Sequence, residues 1–137
     1  MRKLIILLVL PLCACSVPIS ASTCTTADFS KRTEKVWDNF NDLESLAFDS
    51  MHDDKIDLLS IVDHLQQTRD AYAQLKLPSC YGTVYSSYLE YMDLTIETWS
   101  YVVEGGEAFD SKYVDHLNAA TEALNRAMEE ANKLGNG

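Results

Sequence analysis

Two short stretches gather most of the side chains suited to binding an ion or a basic partner. They are Asp49-Ser-Met-His52-Asp53-Asp54 and Glu104-Gly-Gly-Glu107-Ala-Phe109-Asp110. Carboxylate oxygens suit a hard divalent cation such as Ca²⁺, or a cationic surface. Neither stretch has the spacing of an EF-hand loop. Asp53, Asp54 and Asp110 also stand where a helix N-cap is required, which gives them a structural reason to be there. The remaining histidines, His64 and His116, do not form the paired Glu-x-x-His of a di-iron bundle, whose nearest approach is the unpaired Asp49-Ser-Met-His52. The chain holds no CxxCH haem site, no G-x-S-x-G, no H-E-x-x-H and no Gly-rich phosphate loop. The expectation is therefore a non-enzymatic chain with no catalytic residues, no cofactor and no resident metal. Asp49, His52, Asp53, Asp54, Glu104, Glu107 and Asp110 form a candidate acidic tip for a partner.

The cysteines carry the other chemistry. Cys13, Cys15 and Cys24 lie close together near the start, and Cys80 stands alone. The chain opens Met1-Arg-Lys and continues through an apolar run from Leu4 to Leu12, broken by Pro11. A basic start, a short apolar run and small residues form a secretory signal. The run is about nine residues, against the roughly 20 that a spanning helix needs.

Leu12-Cys13-Ala14-Cys15 resembles the lipobox of bacterial lipoproteins, with Leu12, Ala14 and Cys15 matching its pattern. The resemblance implies that residues 1–14 are removed and that Cys15 is lipidated as the mature N-terminus, held in a membrane. Ser16, where an Asp would favour inner-membrane retention by the same resemblance, implies the outer membrane of the cell envelope if the host has one. The alternative is ordinary cleavage after Ala21, which yields a secreted soluble protein. Either way Cys24 and Cys80 reach an oxidising compartment, where a disulfide between them is expected.

The 137 residues carry 21 acidic against 11 basic side chains, a net charge of −10. That balance excludes a nucleic-acid partner, which needs clustered Lys and Arg. The expected organisation is a signal peptide over 1–14, a short tether over 15–24 and one domain over 25–137.

Four segments with helical periodicity must position these groups. The first runs from about Ala27 to Phe48, with Phe29, Thr33, Val36, Phe40, Leu43 and Ala47 on one stripe and Thr25 or Thr26 as cap. The second runs from about Lys55 to Lys76, with Leu58, Ile61, Leu65, Thr68, Tyr72 and Leu75 inward and Leu59 and Val62 widening the stripe. Asp53 or Asp54 caps it and Pro78 ends it. The third runs from about Ser79 to Val103, with Val84, Tyr85, Tyr88, Met92, Ile96, Trp99 and Val103 inward and Gly105-Gly106 as its stop. The fourth runs from about Ser111 to Leu134, capped by Asp110 and closed by Gly135.

Four such helices with short connections predict an all-α protein, an antiparallel up-down-up-down four-helix bundle with one disulfide. In that arrangement Cys24 and Cys80 share the membrane-proximal end, and the two acidic stretches share the distal end. Lys31, Arg32, Lys35, Lys76 and Lys133 fall in the proximal half, suited to anionic headgroups or simply to solvent. The expected function is an interaction module of the envelope that presents its acidic tip to a protein partner. The alternative is a small-ligand or metal carrier.

Overall fold

The computed structural model describes residues 24–52 and 57–135. The described chain is helical, with α1 over Thr26–Ser50, α2 over Leu58–Ala73, α3 over Gly82–Val103 and α4 over Ser111–Lys133. A single 3-10 turn, Ser79–Tyr81, leads into α3.

The first helix starts where its cap dictates. The Asp28 backbone N–H donates to Thr25 Oγ1 at 3.1 Å, and Asp28 places a carboxylate in the first turn, at the positive end of the helix dipole. The fourth starts in the same way, with Tyr113 N–H donating to Asp110 Oδ1 at 2.7 Å.

The second helix is shorter than its periodicity predicts. Its N-cap is Asp57, not Asp53 or Asp54, and it ends at Ala73 rather than Lys76. Residues ahead of a proline are driven from the helical region, and the chain leaves the helix before Pro78 to reach the 3-10 turn. Leu59 is not part of the inward stripe but 56 % exposed, whereas Val62 is buried.

The third helix is the hub. It packs on α2 and, most extensively, on α4. It therefore buries more than one stripe: Tyr91, Thr95 and Thr98 join Val84, Met92 and Trp99, while Tyr88 and Ile96 are only partly covered. Its close fit to α4 follows from the small side chains facing inward there, Ala120, Ala123, Ala127 and Ala131. Against α1 the gap is filled by rings from α3 and the turn before it: Phe29 with Tyr81 at 5.3 Å, Trp37 with Tyr88 at 4.7 Å and Phe48 with Trp99 at 4.8 Å. Fully buried Phe40, Leu65 and Met92 complete the core, each contributing about 1.5–3 kcal/mol of transfer free energy.

One end is closed by four ties. Cys24 and Cys80 form a disulfide with Cα atoms 6.2 Å apart, as the cysteine usage predicts. Thr26 Oγ1 donates to the Ala131 carbonyl at 2.8 Å, and Thr26 N–H donates to the Gly135 carbonyl at 3.3 Å. The Tyr81 hydroxyl donates to Asp28 Oδ2 at 2.8 Å. Among the described residues no helix is long and apolar enough to cross a membrane.

Candidate functional site

The Glu104–Asp110 loop is built by the end of α3 and the start of α4. Gly105, at φ 97°, takes the left-handed conformation that ends α3. Its N–H bonds the Val102 carbonyl at 3.1 Å, and the Gly106 N–H reaches back to Tyr101 at 2.9 Å, the paired bonds of a Schellman motif. Gly106 is required for a second reason. A Cβ there would lie 2.4 Å from the Tyr101 ring.

Tyr101 is the post to which the loop is fastened. Its hydroxyl donates to Asp110 Oδ2 at 2.5 Å, its ring stacks on His116 at 5.9 Å, and Lys112 Nζ sits 4.5 Å from the ring centroid. The Tyr101 hydroxyl, then the Tyr113 N–H, hold the Asp110 carboxyl below the usual carboxylate range. Asp110 in turn pushes the Tyr101 phenol up.

The loop then turns sharply. Asp110 N–H bonds the Glu107 carbonyl at 3.3 Å, and Phe109 sits third in that turn at φ 69°, where glycine is the usual choice. Left-handed backbone costs a residue with a Cβ roughly 1–2 kcal/mol. Phe109 is nonetheless 66 % exposed, touching Tyr113 at a ring distance of 5.4 Å. Glu104 and Glu107 are exposed beside it, and Val114 adds 40 % exposed apolar surface one turn along.

Asp49 and His52 lie at the end of α1, both exposed, with His52 N–H bonding the Asp49 carbonyl at 3.0 Å. Asp53, Asp54 and Cys15 lie outside the described residues. Among the described residues no hydrogen bond or ion pair joins Asp49 or His52 to Glu104, Glu107 or Asp110. Nor is any group of three or more His, Cys, Asp or Glu side chains placed to hold a metal ion. What connects the two stretches is apolar: a row of rings from Phe48 through Trp99 (4.8 Å) and Tyr113 (6.0 Å) to Phe109.

No protein-family model, no curated protein sequence and no solved structure matches this chain. The site must be read from its own chemistry.

Of the acids flanking Phe109, Asp110 is committed to the α4 cap and to Tyr101, while the Glu107 side chain is exposed. A second polar feature lies inside the fold. Glu44 is half-buried, and the Tyr91 hydroxyl donates to its Oε2 at 2.5 Å. Burial pushes the Glu44 carboxyl up, only partly opposed by that hydrogen bond. The spacing of Glu44 already signals its burial: it stands four residues after Phe40 and three before Ala47, beside the inward stripe of α1. On α3 two carboxylates are paired outward, Asp93 with Arg69 at 2.7 Å and Glu97 with His116 at 3.6 Å.

Proposed function

We propose that the chain is a non-enzymatic binding protein of the cell envelope, anchored by a lipid on Cys15, and that its distal end docks a basic protein surface. In this reading the helices run antiparallel, up-down-up-down. The order is supported by side-chain pairs that ascend one helix as they descend the next. Arg69 meets Asp93 and Tyr72 meets Tyr85 between α2 and α3. Glu90 meets Arg126 and Glu97 meets His116 between α3 and α4. The disulfide end then faces the membrane, because nine residues from Cys15 to Cys24 reach about 30 Å at full extension.

Phe109 carries the docking proposal. A strained backbone conformation persists only where the surroundings enforce it, and here it holds an exposed ring between Glu107 and Asp110 on a loop locked by Tyr101 and Gly106. An aromatic anchor with an acidic rim fits a partner that offers an apolar socket edged by Lys or Arg.

The test is photocrosslinking in intact envelopes from a reactive residue at Ala108, with exposed Gln66 on α2 as control. The expected result is a protein adduct from position 108 alone, abolished by Phe109→Ser and by the Glu104→Lys, Glu107→Lys pair, with the helical spectrum unchanged. Identical adducts from both positions, or adducts indifferent to these substitutions, would discard the docking role. Intact mass of the mature chain tests the anchor separately, since a product starting after Ala21 removes it.

A further inference from the structure

A cavity of about 460 Å³ opens between the first half of α1 and the end of α4, far along the helices from Phe109. Its walls are Phe29, Thr33, Trp37 and Tyr88, with Ala131 on the α4 side and Tyr72 of α2 behind them. We infer that this cavity is a binding site for a small, flat, uncharged ring compound that carries a carbonyl oxygen.

Four observations define that ligand. The volume falls in the range of about 300–1,000 Å³ that small molecules occupy. Four aromatic side chains line it, and of these Tyr88 is set edge-on to Trp37 at 4.7 Å and nearly parallel to Phe29 at 5.9 Å, a frame that favours stacking of another ring. Tyr72 is 1 % exposed, and its hydroxyl, buried, has no hydrogen-bond partner among the described residues. A buried donor left without an acceptor weakens the free protein. Burial, followed by the neighbouring Tyr88 and Tyr85 phenols, pushes its pKa far up, so the group is a neutral hydroxyl whose proton has no acceptor among the described residues. At the mouth Glu34 and Asp38 outnumber Lys31, which disfavours an anion. The inference needs neither the lipid nor the distal docking role.

The experiment uses the disulfide-bonded chain with 9-fluorenone as probe and fluorene, the same ring system without the carbonyl, as its control. The expected result is saturable one-to-one binding of fluorenone, with quenching of Trp37 fluorescence that Trp37→Phe removes, and a raised Tm. Fluorene binds about tenfold more weakly, the worth of one hydrogen bond. Tyr72→Phe erases that preference while raising the Tm of the free protein, a pairing that a purely structural tyrosine would not give. No saturable binding of either compound overturns the site. Equal binding of both, unaltered by Tyr72→Phe, overturns the ligand class. Binding by a Cys15→Ser chain but not by the lipidated chain assigns the cavity to the protein's own acyl group and overturns the proposal.

Discussion

The Tyr101 hydroxyl and the Asp110 carboxylate meet at 2.5 Å across nine residues, so that one acid both caps α4 and fastens the loop leaving α3. The Tyr81–Asp28 contact at 2.8 Å ties the turn that leads into α3 to the first turn of α1 at the other end. Each carboxyl is held below its ordinary range, Asp110 by Tyr101 first and Asp28 by Arg32 first and Tyr81 next.

Acid should therefore weaken both ends. A group whose folded pKa is depressed contributes stability above its unfolded value, about 3.9 for Asp, and loses it as pH falls through the folded value. Asp110→Asn should lower Tm by a few degrees at pH 7 and by progressively less below pH 4. Parallel melts of wild type and variant from pH 7 to pH 2 check this. Curves separated by a constant gap would show that ionisation of Asp110 is irrelevant.

Glu44 should behave with the opposite sign. Its folded pKa is raised, so its contribution is full below the unfolded value of about 4.3 and is lost as pH rises through the folded one. Glu44→Gln keeps an acceptor for Tyr91 and removes the buried charge. It should raise Tm by a few degrees at pH 8 and change it little at pH 4. Thermal melts at the two pH values decide it, and an equal shift at both would point to packing alone.

Opening the disulfide should be the most damaging covalent change. Cys24 and Cys80 are 56 positions apart, and on the chain-entropy model their link is worth about 4 kcal/mol, against a typical total of about 5–15 kcal/mol. Denaturant titration of the Cys24→Ala, Cys80→Ala double variant measures the loss. A cost under about 1 kcal/mol would mean that the unfolded chain is already compact.

Gly106→Ala should unseat Tyr101, since the new Cβ would overlap its ring. The expected cost is about 1–3 kcal/mol, the range for overpacking. Loss of the Tyr101–Asp110 bond should follow, seen as a phenol that titrates at lower pH by ultraviolet absorbance. Phe109→Asn should cost little or stabilise, because Asn tolerates φ 69°.

The ends of α1 and α4 were legible because capping is local. Asp110 announces itself by type, type narrows the α1 cap to Thr25 or Thr26, and the stripe from Phe29 to Ala47 needs no knowledge of neighbours. The Cys24–Cys80 bridge was legible by elimination. Three features were not. The inward turn of Tyr91, Thr95 and Thr98 depends on α3 having packing partners on more than one side, whereas periodicity selects a single stripe. The positive φ of Phe109 is imposed by the Tyr101–Gly106–Asp110 lock rather than by its own side chain. The cavity beside Trp37 depends on how far α4 stands from α1, a distance no local pattern encodes.

The bridge also decides how the molecule carries load. Tension applied at the N-terminus reaches Cys24 and crosses directly to Cys80, at the threshold of α3, so α1 and α2 lie outside the force path. The 56 positions between the cysteines hold roughly 190 Å of extended chain that cannot be drawn out while the bond is intact. Pulled between its two ends, the protein should first part Thr26 from Gly135, then peel α4 from α3, with the first two helices left folded behind a covalent clasp.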